Sequence, residues 1–194
     1  MDYPTLKAGV YRIIGIDPGT ETLGVCILDI DMKTGEVIST TAFTLIASKS
    51  PYFDKELSLL QDHKTARLKA HLLNLQNLFI KAKPSLVASE APFYNRMRPS
   101  AYAPLVETMM VIREALLAFN RYSRLITLDP PRVKKAVGAK GNAKKEEVEK
   151  ALRNYQVELK LSKKEIDEMD EHSVDATCVA YAHYLLVKNR LFSK

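Results

Sequence analysis

Cysteine is scarce: the 194-residue chain holds two, Cys26 and Cys178, each inside an apolar run. They read as buried packing residues rather than a disulfide or a metal pair, and they suit a reducing compartment. No Cys/His spacing points to zinc. Long apolar runs are also missing. None reaches the length of a membrane-spanning helix, so no membrane is expected among the partners. The opening residues Met-Asp-Tyr-Pro are polar and acidic, unlike a secretory leader. A cytoplasmic location is expected, with a host cytoplasm or an organelle matrix as variants. Internal repeats and low-complexity tracts are absent.

What is present is a soluble globular composition, 46% hydrophobic and 27% charged. The length suits one domain spanning 1–194. Twenty-nine Lys and Arg against 23 Asp and Glu leave a net charge of +6. That balance favours a polyanionic partner, nucleic acid first among them.

The organising stretch is Tyr11-Arg-Ile-Ile-Gly-Ile-Asp-Pro-Gly-Thr20. An isoleucine-rich run reads as a buried strand ending on Asp17, and Pro18-Gly19 forces a turn. A second apolar run, Leu23–Ile30, returns as the partner of a hairpin. Residues 36–46 are rich in β-branched side chains and read as a third antiparallel strand.

From Lys55 to Lys83 the period becomes helical. Leu57, Leu60, Leu68, Leu72, Leu75 and Leu78 predict one long amphipathic helix, irregular in its first part. His63, Lys64, Arg67, Lys69, His71 and Lys81 read as its solvated face. Pro84 ends it. Residues 85–90 form a short strand that again ends on an acid, Glu90. A basic and aromatic loop, 91–100, follows, then a helix over 102–122 and a strand over 124–128.

Next comes a basic segment from Arg132 to Lys145. Asn142 reads as the N-cap of a helix running through Leu152. Residues 162–171 are acidic and helical or turn-like. A final helix spans 173–191. Three strands followed by strand–helix–strand units predict a mixed sheet flanked by helices.

In that topology Asp17 and Glu90 share one edge of the sheet. Unshielded carboxylates repel, so such a pair calls for a cation or a raised pKa. Oxygen ligands suit Mg²⁺ or Mn²⁺. His172 and Asp175, three apart at the start of the last helix, lie on one helical face and offer further ligands. Taken singly, each residue has a blander reading: Asp175 complements the helix dipole, Glu90 pairs with an arginine, His172 is an ordinary polar residue. Taken together they suit phosphodiester hydrolysis, with two ions activating a water and stabilising the leaving oxygen. Basic segments fit a nucleic-acid backbone. Phe93 and Tyr94, beside Arg96 and Arg98, suit stacking on unpaired bases, with core packing the alternative for Phe93.

At this point the chain resembles the RuvC-type Holliday junction resolvases of the RNase H-like superfamily, nearly end to end. Four motifs carry the resemblance: Gly15-Ile-Asp-Pro-Gly-Thr20 with Leu23-Gly-Val25, Ser89-Glu-Ala-Pro-Phe93, the basic run 131–148, and Glu171-His-Ser-Val-Asp-Ala176. The resemblance implies an RNase H-like mixed five-stranded sheet, three antiparallel strands then two parallel. It implies Asp17, Glu90, His172 and Asp175 as catalytic metal ligands for Mg²⁺ (or Mn²⁺), two ions per site, with Lys145 near the scissile phosphate. Phe93 would act at the junction centre. Lys134 would act on DNA, and the residues themselves, by their basic and aromatic setting, suggest Tyr94, Arg96, Arg98, Lys135, Lys140 and Lys144 as further DNA contacts. The last motif usually reads Asp-x-x-Asp; here His172 holds the first place, a neutral and softer ligand, and Asp170 is a partial substitute.

The implied activity is resolution of four-way DNA junctions by a homodimer making paired symmetric nicks, with branch-migration proteins as further partners. Three other readings stand beside it: an RNA-processing or flap nuclease of the same fold, a non-catalytic junction binder, and a sugar-kinase or actin-like ATPase. The last needs a second such hairpin and a Gly-rich adenosine motif, and the sequence has neither.

Overall fold

Five strands form one sheet in the order β3-β2-β1-β4-β5 in the computed structural model, which describes residues 7–93 and 99–192. Strands β1 (Val10–Asp17), β2 (Thr22–Asp31) and β3 (Val37–Ile46) make an antiparallel meander. Strand β4 (Leu86–Glu90) pairs with β1 in parallel, and β5 (Leu125–Leu128) pairs with β4 in parallel. This is the mixed sheet expected from the strand pattern, in the five-stranded RNase H-like arrangement that the resemblance implies.

The central strands are apolar along their length because both faces are covered. On one face Ile14, Ile16, Val25, Ile27 and Val87 pack beneath α2 (His63–Ala82) and α3 (Tyr102–Phe119). On the other, Ile13, Cys26, Leu28 and Ala88 pack beneath α7 (Glu171–Leu191), with α4 (Pro130–Ala136) and α5 (Lys145–Arg153) beside it. Both cysteines are free and buried; burial pushes the Cys26 thiol up to about 12, so it is inert packing.

One charged pair sits in this apolar interior. Arg12 is fully buried, and its Nε and Nη2 donate to the two carboxylate oxygens of Asp29, each at 2.7 Å. Its Nη1 donates to the Ala82 carbonyl at the end of α2, also at 2.7 Å. The guanidinium thus ties β1 to β2 and to the end of the helix above them.

Several elements differ from the sequence pattern. The long helix is two, α1 (Lys55–Leu60) and α2, because Asp62 caps a new start by accepting from the Thr65 N–H at 2.7 Å. Leu60 is exposed rather than part of the buried stripe. His71 does not belong to a solvated face: it is fully buried, and desolvation pushes it down to about 4, so it is neutral at pH 7. Arg67 is half-buried and pairs with Glu21 at 2.7 Å. Asn142 is not an N-cap. Helix α5 begins at Lys145, and the Glu147 carboxylate accepts from the Lys144 N–H at 2.8 Å. Helix α3 stops at Phe119, and α7 begins two residues earlier than its apolar pattern implies. Helix α6 (Lys163–Asp167) occupies the acidic segment.

Candidate active site

Strand register brings the two strand-end acids together. Strands β1 and β4 run parallel with Ile16 opposite Ser89, so Asp17 and Glu90 are the next residues on adjacent strands. Adjacent strands lie roughly 4.8 Å apart. Side chains alternate between faces, and Asp17 shares its face with Ile13 and Gly15, Glu90 with Ala88. Ile13 and Ala88 belong to the core beneath α7. Both acids therefore face the side of the sheet on which that helix lies.

Two glycines let α7 come close. A Cβ on Gly24 would lie 2.0 Å from the His172 carbonyl oxygen, and one on Gly15 would lie 2.4 Å from that of Ala176. No side chain fits at either place. The start of α7 is fixed by Asp170, whose Oδ1 accepts from the Ser173 N–H at 2.9 Å and from the Thr44 hydroxyl at 2.6 Å. Asp170 is thus engaged as a cap and strand anchor.

The helix lays His172 against Asp17, with Nδ1 2.8 Å from Oδ2. Its Nε2 is 2.7 Å from the Thr22 hydroxyl. The hydrogen bond to Asp17 raises the His172 pKa, against the opposing effect of burial. Thr22 was not anticipated; a hydroxyl at the first position of the returning strand was its only sequence signal.

Electrostatics show the acids clustered. Burial pushes Glu90 up to about 7, and the charges of Asp17 and Asp175 push the same way. Burial and Asp17 push Asp175 up to about 6. Lys134 and Lys145 partly offset both. No salt-bridge partner for Glu90 occurs among the described residues, which leave out Arg96 and Arg98. The cluster is open: among the described residues no three ligand-type side chains form a ready-made cage. Its chemistry, three mutually repelling carboxylates with an imidazole bonded to one of them, nonetheless fits hard divalent cations.

The surrounding cations are varied. Lys145 Nζ pairs with Glu171 at 2.8 Å, both side chains well exposed. The Glu171 hydrogen bond and neighbouring acids raise its pKa despite burial. Lys134 donates to the Ala143 carbonyl at 2.7 Å and so braces the basic loop. Lys135, Lys140 and Lys144 are exposed. Phe93 is 64% exposed, which removes the core-packing reading. Tyr94, Arg96 and Arg98 lie outside the described residues.

An RNase H-like sheet bearing acids at the ends of β1 and β4, closed by the start of the last helix, defines the class. No family model matches the chain. The RuvC crossover junction endodeoxyribonuclease of Sulfurovum sp. is 30% identical over 92% of this chain and 98% of its own length. That of Carboxydothermus hydrogenoformans is 30% identical over 90% and 96%. The structure of Thermus thermophilus RuvC covers 93% of this chain and 97% of its own, with a TM-score of 0.66 and 22% identity. The yeast mitochondrial Holliday junction resolvase shares the fold at a TM-score of 0.59, covering 94% and 80%, with 13% identity. The chain belongs to the RuvC family of crossover junction endodeoxyribonucleases.

Proposed function

We propose that this chain is a structure-selective endonuclease that resolves four-way DNA junctions by paired, symmetric nicks, each leaving a 5′-phosphate and a 3′-hydroxyl. Near-full-length relatives carry the name crossover junction endodeoxyribonuclease, and a neighbour in fold is Thermus thermophilus RuvC in complex with a Holliday junction substrate. The single observation that carries the reading is the β1–β4 register, which makes Asp17 and Glu90 neighbours beneath the start of α7.

Asp17, Glu90, His172 and Asp175 are the residues that would hold divalent cations, Mg²⁺ or Mn²⁺ and two per site. Such ions, when bound, supply the Lewis acidity that makes water nucleophilic and stabilises the leaving oxygen. The chain's own groups do the rest. Burial and mutual repulsion raise Glu90 and Asp175 to about 7 and about 6 in the metal-free protein, so cation binding near neutral pH would displace protons from them. His172 orients the Asp17 carboxylate through Nδ1. Lys145, held at the rim by Glu171, neutralises charge that builds on the phosphate. Lys134, Lys135, Lys140 and Lys144 line the backbone path, and exposed Phe93 stacks on an unpaired base at the junction centre.

The working form is a homodimer, since a two-fold pair of sites matches the symmetry of a four-way junction. The outward stripe of α3, with Val106, Met110 and Leu117 exposed at helical spacing, supplies an apolar face for that contact. Among the described residues no helix is long and apolar enough to cross a membrane. The setting is the cytoplasm, with branch-migration proteins as partners.

The test incubates purified protein with Mg²⁺ or Mn²⁺ on a synthetic four-way junction, a flap DNA and a structured RNA, mapping every nick. Symmetric nicks on two opposed junction strands are expected, with the flap and the RNA cut at least ten-fold more slowly. Asp17→Asn should abolish cleavage and retain junction binding. An intact junction under all metal conditions overturns the enzyme.

A further inference from the structure

One outer edge of the sheet is strand β3, which pairs with β2 alone. Register decides which of its backbone groups are engaged. The Ala47 N–H donates to the Glu21 carbonyl at 2.8 Å, one step past the Thr22–Ile46 pair. In an antiparallel ladder, hydrogen-bonded pairs alternate with non-bonded ones, so Thr41, Phe43 and Leu45 turn their N–H and C=O toward β2. Ala42 and Thr44 turn theirs outward. Among the described residues no backbone group bonds to these outward ones.

Such an edge is normally blunted by charge, proline or a bulge. The ten residues of β3 include no charge and no proline, and the one register irregularity lies at the end near Val37. A cleft of about 330 Å³ runs beside the strand. Residues 40–44 form one side and Leu161 and Met169 the other, with Glu165, Glu168 and Asp170 at the exposed rim. The cleft is closed near Thr40, whose hydroxyl donates to the Leu159 carbonyl at 2.6 Å. A groove between a free strand edge and a helix, here α6, is the geometry into which an extended peptide adds as a further strand.

Charge selects the occupant. The cleft is lined by Glu165, Glu168 and Asp170 and by no Lys or Arg, on a chain whose net charge is +6. Asp170 is engaged by Thr44 and Ser173, and Glu165 accepts from the Ser162 N–H. Among the described residues Glu168 pairs only with Lys164 at 3.8 Å, both side chains well exposed, and such a pair is worth little. A DNA backbone is repelled here, and a second copy of the chain would bring a second acidic rim against the first. We infer that the β3 edge takes an extended segment of a partner protein that alternates apolar and basic side chains. Its backbone bonds to Ala42 and Thr44, and a Lys or Arg of the segment meets Glu168. Nothing in this depends on the nuclease reading.

The probe is a fluorescein-labelled peptide of about seven residues alternating valine with lysine, followed by anisotropy against the whole protein at low salt. Two control peptides carry glutamate in place of lysine, or N-methyl groups on the amides that would face β3. Wild type should bind the lysine peptide about ten-fold more tightly than the glutamate peptide, and N-methylation should abolish binding with the protein itself unaltered. Amide hydrogen exchange should slow at Ala42 and Thr44 on binding. Ala42→Pro removes an outward N–H that no ladder bond needs, so binding should weaken about ten-fold while circular dichroism stays native. Glu168→Lys should bring the lysine and glutamate peptides to parity. The inference is overturned if those two peptides bind wild type alike, if N-methylation changes nothing, or if exchange slows only away from β3. A single-stranded oligonucleotide or a second copy of the chain that protects these amides where the lysine peptide does not would overturn it equally.

Discussion

Glu90 and Asp175 carry protons more tightly in the folded protein than in the unfolded chain, since burial and mutual repulsion raise both. A raised carboxyl stabilises the fold below its ordinary pKa and loses that contribution as pH climbs through its folded value. Stability should therefore decline from about pH 4.5 to about pH 7 in chelator. Glu90→Gln, which stays neutral, should flatten the decline and stabilise the protein by about 2 kcal/mol at pH 8. Thermal melts of both proteins across pH 5–8 check this; parallel curves would show that folding does not raise the Glu90 pKa. The same titration makes nuclease activity rise between pH 6 and pH 8, as the carboxylates become free to bind cations. Lys145→Ala should lower the cleavage rate about 10²-fold with little change in junction affinity, measured under single-turnover conditions. At this scale the acids were legible because each ends an apolar run. Three other residues were not. Thr22 and Glu171 act through partners 150 residues and 26 residues away in sequence, and His71 is a polar residue whose burial depends on a turn packed over it from another part of the chain.

Helix α7 reaches the acids only because two strand positions lack a side chain. Gly24→Ala would drive a methyl group into the His172 carbonyl, so the helix start must shift. A displacement near 1 Å at a reacting centre costs about 10²-fold in rate. Cleavage should fall by that order while far-ultraviolet circular dichroism stays native; an unchanged rate would mean that the helix start does not position His172. Elements with one strong local signal were readable: β1 and β2 flank a Pro-Gly turn, and β4 ends where a proline-rich loop begins. Elements set by competition were not. The break between α1 and α2 rests on Asp62 outbidding a continuous leucine pattern. Helix α4 was overlooked although its Pro-Pro start is a recognised opening signal. The close packing of α7 left only the glycines as a trace, and a glycine in a strand does not say which element approaches it.

The whole molecule combines a basic surface with a small acidic centre. Net charge +6 predicts junction binding that weakens steeply with salt, with a slope that falls by about one for each phosphate-contacting lysine removed. Titrations of Lys135→Ala and Lys140→Ala between 50 and 200 mM salt measure this. If the proposed homodimer forms through the outer face of α3, a charge placed there, as in Met110→Glu, should give a monomer by light scattering and uncouple the two nicks. A variant that stays dimeric would point to another contact face.

The buried Arg12–Asp29 pair has a consequence for how the chain reaches this shape. Its two members are 17 residues apart and meet when the first hairpin closes, whereas the Ala82 carbonyl arrives from 70 residues away. The ions must pair while water still surrounds them, because stripping a lone guanidinium or carboxylate of its hydration is far costlier than sealing an existing couple. Hairpin closure should thus precede the docking of α2 during refolding, and Asp29→Ala should retard that docking as well as lower the final stability by about 3–5 kcal/mol.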